Sequence, residues 1–270
     1  MVDVRGVPRA WGVGVSTPTF VTNEPFVAGR QVTLGEQEAH HIRVRRLEIG
    51  TRVALLDGQG TRGAGVLVRI AKRNAAVEVD GVATELAPRA VHLILPIADK
   101  DRMLWLAEKA AELGASSWRP VQFRRSRSVA AKGEGLMFTQ KVSARMAAAL
   151  EQSGNAWMPT IHPEATIDRA VAAAPEGLRI VLDAGGIPLA QIDAWRVMAA
   201  ERFADDALPA AVTIAVGPEG GIEEDELERF TAAGFVRASV GSTMLRFETA
   251  AIGALAIARS LSAPPLSALS

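Results

Sequence analysis

Two short segments of the chain combine residue types that serve ligands. The first, Gly217-Pro218-Glu219-Gly220-Gly221, stands between an apolar run, Val212 to Val216, and a stretch crowded with acids. In an open α/β sheet ligands bind beyond the carboxyl ends of the strands, so a glycine-rich loop at such a place is a candidate cofactor loop. Glycine suggests phosphate first, but the Walker spacing with its Lys is missing. Glu219, followed by Glu223, Glu224, Asp225 and Glu226, would also repel an anion at the start of a helix. The GxGxxG pattern of dinucleotide folds is absent as well. A cationic ligand, or a neutral one rich in donors, suits this loop better; a tight strand-to-helix turn whose acids complement the helix dipole suits the spacing too. The second segment, Gly241 to Ala250, again lies between an apolar strand and a helix. Arg246 stands where its loop enters the helix, either facing a ligand at the sheet edge or pairing locally with Glu248.

The elements that must carry these loops follow from hydrophobic rhythm. From Val27 to about Val82 short apolar or alternating runs (Arg30 to Leu34, Arg52 to Leu56, Gly63 to Ala71, Ala75 to Val79) predict strands, and Asp57-Gly58-Gln59-Gly60 has hairpin chemistry. That is a small β-rich domain or barrel at 20–88, behind an N-terminal extension at 1–19. Ala83 to Arg89, with Pro88, connects it to a segment at 89–270 in which strands and helices alternate. Strands are expected at Val91 to Leu95, Ser117 to Phe123, Arg179 to Asp183, Val212 to Val216 and Val236 to Val240. Helices are expected at Lys100 to Leu113, Gln140 to Gln152, Ile167 to Ala174, Leu189 to Phe203, Glu223 to Ala233 and Glu248 to Leu261. Gly114 and Thr166 carry end and start signals. Continuous apolar strands alternating with helices imply an α/β fold with a mostly parallel sheet covered on both faces.

Composition narrows the chemistry. The 270 residues contain no Cys, which removes disulfides, thiolate nucleophiles and cysteine-bound metal clusters. No apolar run is long enough for a transmembrane helix, and no basic-then-apolar leader opens the chain, so a cytoplasmic protein is expected. The 30 Lys and Arg balance the 30 Asp and Glu, yet residues 1–154 are net basic and 155–270 net acidic. Such asymmetry hints at an anionic partner. Two basic clusters stand out, Arg43, Arg45 and Arg46, and Arg124, Arg125 and Arg127; each is either a phosphate-contacting surface or a solvated edge. His40 and His41 are adjacent with no third ligand in sight, and no metal is expected.

Taken together, Gly217 to Gly221, Ala233-Gly234-Phe235, Val240-Gly241, and Leu245-Arg246 with Glu248-Thr249-Ala250 closely resemble the RsmE family of ribosomal RNA methyltransferases. Glu108 to Gly114, Pro120, Arg125-Ser126, Glu151 to Gly154, and Ala39-His40-His41 with Arg43, Val44, Arg46 and Gly50 extend the likeness over about residues 20 to 260. Phe247, Phe123 and Asn155 depart from the family pattern. The resemblance implies a PUA-like β-barrel followed by a SPOUT domain with a C-terminal trefoil knot. It implies a homodimer that uses S-adenosylmethionine to methylate N3 of a uridine in 16S ribosomal RNA of the small subunit. A non-catalytic RNA-binding assembly factor on the same fold is the alternative. By resemblance the cofactor loops contain Leu182 and Asp183, Gly217, Glu219 and Gly220, and Val240, Gly241, Met244 and Leu245. Arg246 is the candidate cation for charge on the uracil, with Glu219 as a second catalytic candidate.

Overall fold

The computed structural model describes residues 17–126, 135–192 and 211–260. They divide into two compact units: 17–87 with Ala147–Met158, and Pro88–Met146 with 159–260.

The first unit contains β1 (Thr19–Val21), β2 (Gln31–Leu34), α1 (Glu36–Val44), β3 (Arg52–Leu56), β4 (Thr61–Ile70) and β5 (Ala75–Thr84). The strands form one sheet in the order β1-β3-β4-β5-β2, antiparallel except where β1 runs parallel to β3. The β3–β4 hairpin turns where the Asp-Gly chemistry placed it. Asp57 Oδ1 accepts the N–H groups of Gln59 and Thr61 at 2.7 and 2.9 Å, and Gly58 and Gly60 take the positive φ that the turn requires. Phe20, Leu34, Ile42, Leu55, Leu67 and Val77 form its core. The strand-like expectation fails at α1. Ala39 and Ile42, three residues apart, are the helix's buried residues, and Glu36 and Glu38 occupy its first turn, where acids complement the dipole. Two apolar residues are too few to show a helical period. Ala147–Met158 belongs to this unit through Arg62, which is buried and bonds Glu85 and the Gly154 carbonyl, and through Gly60 N–H to Ala156 O at 2.9 Å.

The second unit contains β6 (Val91–Pro96), α2 (Lys100–Glu112), β7 (Ser117–Val121), α3 (Gly135–Ser153, whose last turns belong to the first unit), β8 (Thr160–Ile161), α4 (Ile167–Ala172), β9 (Gly177–Pro188), β10 (Ala211–Val216), α5 (Glu224–Ala232), β11 (Val236–Ser239) and α6 (Phe247–Ser260). Its six strands are all parallel, in the order β11-β9-β10-β6-β7-β8. Consecutive residues Leu93, Ile94 and Leu95 are all buried, as a strand covered on both faces requires. α4 and α5 pack together over a core that includes Ile94, Phe123, Val181 and Phe230. α6 packs on α2, β6 and β10. Phe123 is fully buried and stacks on Phe230 with ring centroids 6.1 Å apart, so this departure from the family pattern serves the core.

One boundary differs from the sequence reading in a way that matters for the site. β9 does not stop at Asp183 but continues to Pro188, pairing with β11 through a register shift at Arg237/Ala238. Gly186 permits this, since a Cβ there would lie 2.5 Å from the Ala238 nitrogen. Where a helix is expected from Leu189 the described residues show a 3-10 turn, Leu189–Gln191, that ends at an extended Ile192; residues 193–210 lie outside the described residues.

At the start of the sheet, Arg259 of α6 donates to the carbonyls of Arg89 and Gly114. Burial brings its pKa down to about 10. His92 stands close to it, with Nδ1 2.8 Å from Ser117 Oγ. Burial, then the nearby His162, Arg119 and Arg259, hold the His92 pKa below its ordinary 6.5. The unfolded chain therefore binds more protons than the fold as pH falls from 6.5 towards the depressed value, and stability is lost across that window. Urea titrations from about pH 7 to about pH 5 are expected to show this decline, with a shallower slope in His92→Gln. An identical slope in that variant would contradict a neutral, half-buried His92.

Candidate active site

At one edge of the parallel sheet Leu182, Asp183 and Ala184 in the middle of β9, the segments at the ends of β10 (Val216 to Ile222) and β11 (Ala238 to Leu245, Ser242 excepted), and Phe247 and Ala250 of α6 enclose a cleft of about 230 Å³. Leu182, Asp183, Gly217, Glu219, Gly220, Val240, Gly241, Met244 and Leu245, named from the sequence as cofactor residues, all line it. The loop after β10 needs its glycines. A Cβ on Gly217 would lie 2.2 Å from Ile222 Cγ1, and Gly221 has φ +78. Among the lining residues that sequence reasoning missed are Ala184, Ile222, Ala238, Ser239, Phe247 and Ala250. Phe247 is 3% exposed, giving its departure from the family pattern a packing role in the cleft wall.

The cleft carries two carboxylates, and each is held from outside by an arginine. Arg237 of β11 donates twice to Asp183 Oδ2, at 2.8 and 3.1 Å, and reaches Glu224 at 2.9 Å. Arg102 of α2 pairs with Glu219 and lies 3.9 Å from the carboxylate of Glu248, which is buried at the start of α6. A third arginine holds the loop backbone itself: Arg125 Nη1 donates to Gly220 O at 2.7 Å, and Nε donates to Glu223 at 3.3 Å. The Arg125 stem also covers Gly220, where an added Cβ would meet it at 3.2 Å. Beside it Arg124 pairs with Asp225 and Glu223, and its backbone N–H donates to buried Glu226 at 2.8 Å. The other Glu226 oxygen accepts from Glu223 N–H, completing the capping box of α5. Hydrogen bonds to Asp225 and Glu223 hold the Arg124 pKa above its ordinary value, and the same bond to Arg124 holds Asp225 below the usual carboxylate range. These exposed pairs contribute little to stability singly; as a network they fix the position of the glycine loop.

The catalytic and RNA candidates are distributed differently. Arg246 is exposed, does not line the cleft and forms no ion pair among the described residues; Glu248, its expected local partner, lies near Arg102 instead. Arg43, Arg45 and Arg46 are exposed at the end of α1, with Arg43 Nε bonded to Ala39 O at 3.2 Å and Arg46 at φ +52. Arg124 and Arg125 are engaged by the acids of α5, and Arg127 lies outside the described residues. Among the described residues no cluster of His, Asp and Glu is placed to hold a metal, and no helix is long and apolar enough to cross a membrane. Arg125→Ala is expected to weaken binding of S-adenosylmethionine, the cofactor implied by the resemblance, about tenfold by calorimetry. Arg125→Lys should restore only part of that, because an ammonium cannot serve Gly220 O and Glu223 as a fork. An unchanged affinity in Arg125→Ala would contradict the bracing role.

Comparison with known proteins agrees with both units. A family model described as an RNA methyltransferase domain matches residues 85–259, and one described as an RNA methyltransferase PUA domain matches 34–80. Ribosomal RNA small subunit methyltransferase E of Synechocystis is 28% identical over 83% of this chain and 71% of its own length. Its namesake from Mycobacterium bovis is 28% identical over 87% and 88%. A crystal structure of ribosomal RNA small subunit methyltransferase E from Neisseria gonorrhoeae bound to S-adenosyl methionine superposes with a TM-score of 0.79. It is 26% identical, with 91% of this chain and 98% of that one covered. With a PUA-like unit in front and a three-loop cleft at the edge of its parallel sheet, the chain belongs to the RNA methyltransferase family.

Proposed function

We propose that this protein transfers the methyl group of S-adenosylmethionine to N3 of a uridine in 16S ribosomal RNA of the small ribosomal subunit. The observation that carries the reading is the cleft, in which every loop named for the cofactor comes together. Its residues fit that cofactor. Leu182, Val216, Val240, Leu245 and Phe247 offer apolar surface to an adenine, while Asp183 and Glu219 place negative charge near a cation. The glycines at 217 and 220 let the backbone approach closely. The cofactor bound in the Neisseria relative supports the same assignment. In keeping with the resemblance, the domains are a PUA-like barrel at 20–88 and a SPOUT domain at 89–270 with a trefoil knot. α6, returning from the β11 edge to pack on α2, β6 and β10, suits such a threading. The working form is a cytoplasmic homodimer; exposed Met244 and Ile187 leave apolar side chains for a second copy to cover.

When bound, the cofactor supplies a methyl group on a sulfonium, ready for in-line displacement. The chain's task is to hold N3 at near-attack distance and to favour its deprotonated form. Arg246, exposed and without an ion pair among the described residues, is the cation available to stabilise charge on a uracil oxygen. Glu219, already engaged by Arg102, orients the glycine loop and is the secondary candidate for accepting the proton. Arg43, Arg45 and Arg46 contact phosphates. Arg124, Arg125 and Arg127 belong to the same RNA-facing assignment, although any phosphate there must compete with Glu223 and Asp225 for the first two.

The test is nucleoside mass spectrometry of unmodified small subunits incubated with the protein and labelled S-adenosylmethionine. Labelled 3-methyluridine is expected, with turnover falling about a hundredfold in Arg246→Ala at nearly constant cofactor affinity. Label in another nucleoside, or cofactor binding without any transfer, would overturn the reading.

A further inference from the structure

The second unit holds another cavity, of about 390 Å³, larger than the cofactor cleft. It lies between the residues that follow β6 and β8, with Trp118 and Pro120 of β7 among its walls and the first turns of α2 and α3 at its sides. Met103, Phe138, Val142 and Ile161 make it mainly apolar, and Thr139, His162 and Glu164 add polar groups. It has no glycine-rich strand-end loop, so it does not duplicate the cofactor site. Its position is informative. The first turn of α2 stands between the two cavities: Lys100 and Met103 line this one, while Arg102 reaches Glu219 on the cofactor cleft.

We propose that this cavity receives the unstacked base of a nucleotide adjacent to the target uridine. The inference rests on the RNA-methylation reading. N3 belongs to the Watson–Crick edge, so a uridine methylated there must be unpaired at that moment, and the neighbouring bases lose stacking partners with it. Single-stranded RNA is recognised by apolar and aromatic surfaces that replace that stacking, together with polar groups that read base edges. This cavity offers both. Its volume falls within the range of small-ligand sites and exceeds what one base needs. His162, whose pKa is held below 6.5 by burial and Arg119, is neutral near pH 7 and so presents one donor and one acceptor. Thr139 and Glu164 are exposed and add a hydroxyl and a carboxylate able to accept from an exocyclic amine. The cavity's place beside the cofactor cleft, one turn of α2 away, favours RNA as the occupant over an unrelated small molecule.

The experiment compares methyl transfer to unmodified small subunits by the full chain and by Thr139→Trp, which places a bulky ring at the cavity from an exposed position. KM for RNA is expected to rise about tenfold with kcat nearly constant. Cofactor affinity by calorimetry and thermal unfolding should be unchanged. The salt dependence of RNA binding should keep its slope, since no phosphate contact is lost. His162→Ala, which removes a polar group without filling the space, should raise KM severalfold and guards against misfolding of the larger substitution. Unchanged KM in both folded variants overturns the proposal, and so does a raised KM with a flatter salt slope, which would mark a phosphate contact instead. If the unsubstituted protein binds cofactor yet methylates no RNA, the parent reading fails and this inference falls with it; normal wild-type activity with indifferent variants removes this inference alone.

Discussion

The structure of the cleft turns on keeping like charges together at the end of a sheet. Asp183 in β9, Glu219 in the loop after β10, and Glu223, Glu224 and Asp225 at the start of α5 all gather at this end of the sheet. Left alone they would repel one another and any loop geometry they share would loosen. Four arginines from other elements prevent this: Arg102 from α2, Arg124 and Arg125 from the turn after β7, and Arg237 from β11. The result is a glycine loop held by its carbonyl, its flanking acids and the cap of the following helix. Its lining can therefore be acidic and close-fitting at once.

This arrangement changes how the basic residues are divided between tasks. The cluster at Arg124 and Arg125 is basic in sequence but is neutralised in place by α5, whereas Arg43, Arg45 and Arg46 remain exposed on the first unit. A cation engaged by two carboxylates offers a phosphate less than an unengaged one does. Charge counted along a chain does not reveal which arginines are already occupied.

Much of the architecture was legible because it rests on local rules. The hairpin at Asp57, the caps at Gly114 and Thr166, and the parallel strands from Val91, Arg179 and Val212 follow from turn chemistry and apolar runs, and the segments at the ends of β10 and β11 line the cleft. What escaped was set by tertiary pairing. β9 runs on to Pro188 because β11 supplies partners there, beyond Asp183 where the apolar run ends. α1 forms with two buried apolar residues because the sheet of its unit covers them. The braces were invisible for the same reason: nothing in the spacing of Arg102 and Glu219, or of Arg237 and Asp183, shows that the fold makes them neighbours.

The most direct measurement is hydrogen–deuterium exchange of the protein with and without S-adenosylhomocysteine. Protection is expected in peptides covering 182–184, 216–222 and 238–245, spreading to the turn at Arg124 and Arg125, with the β-rich unit unaffected. Protection confined to other segments, or none at saturating ligand, would contradict the cleft as the cofactor site.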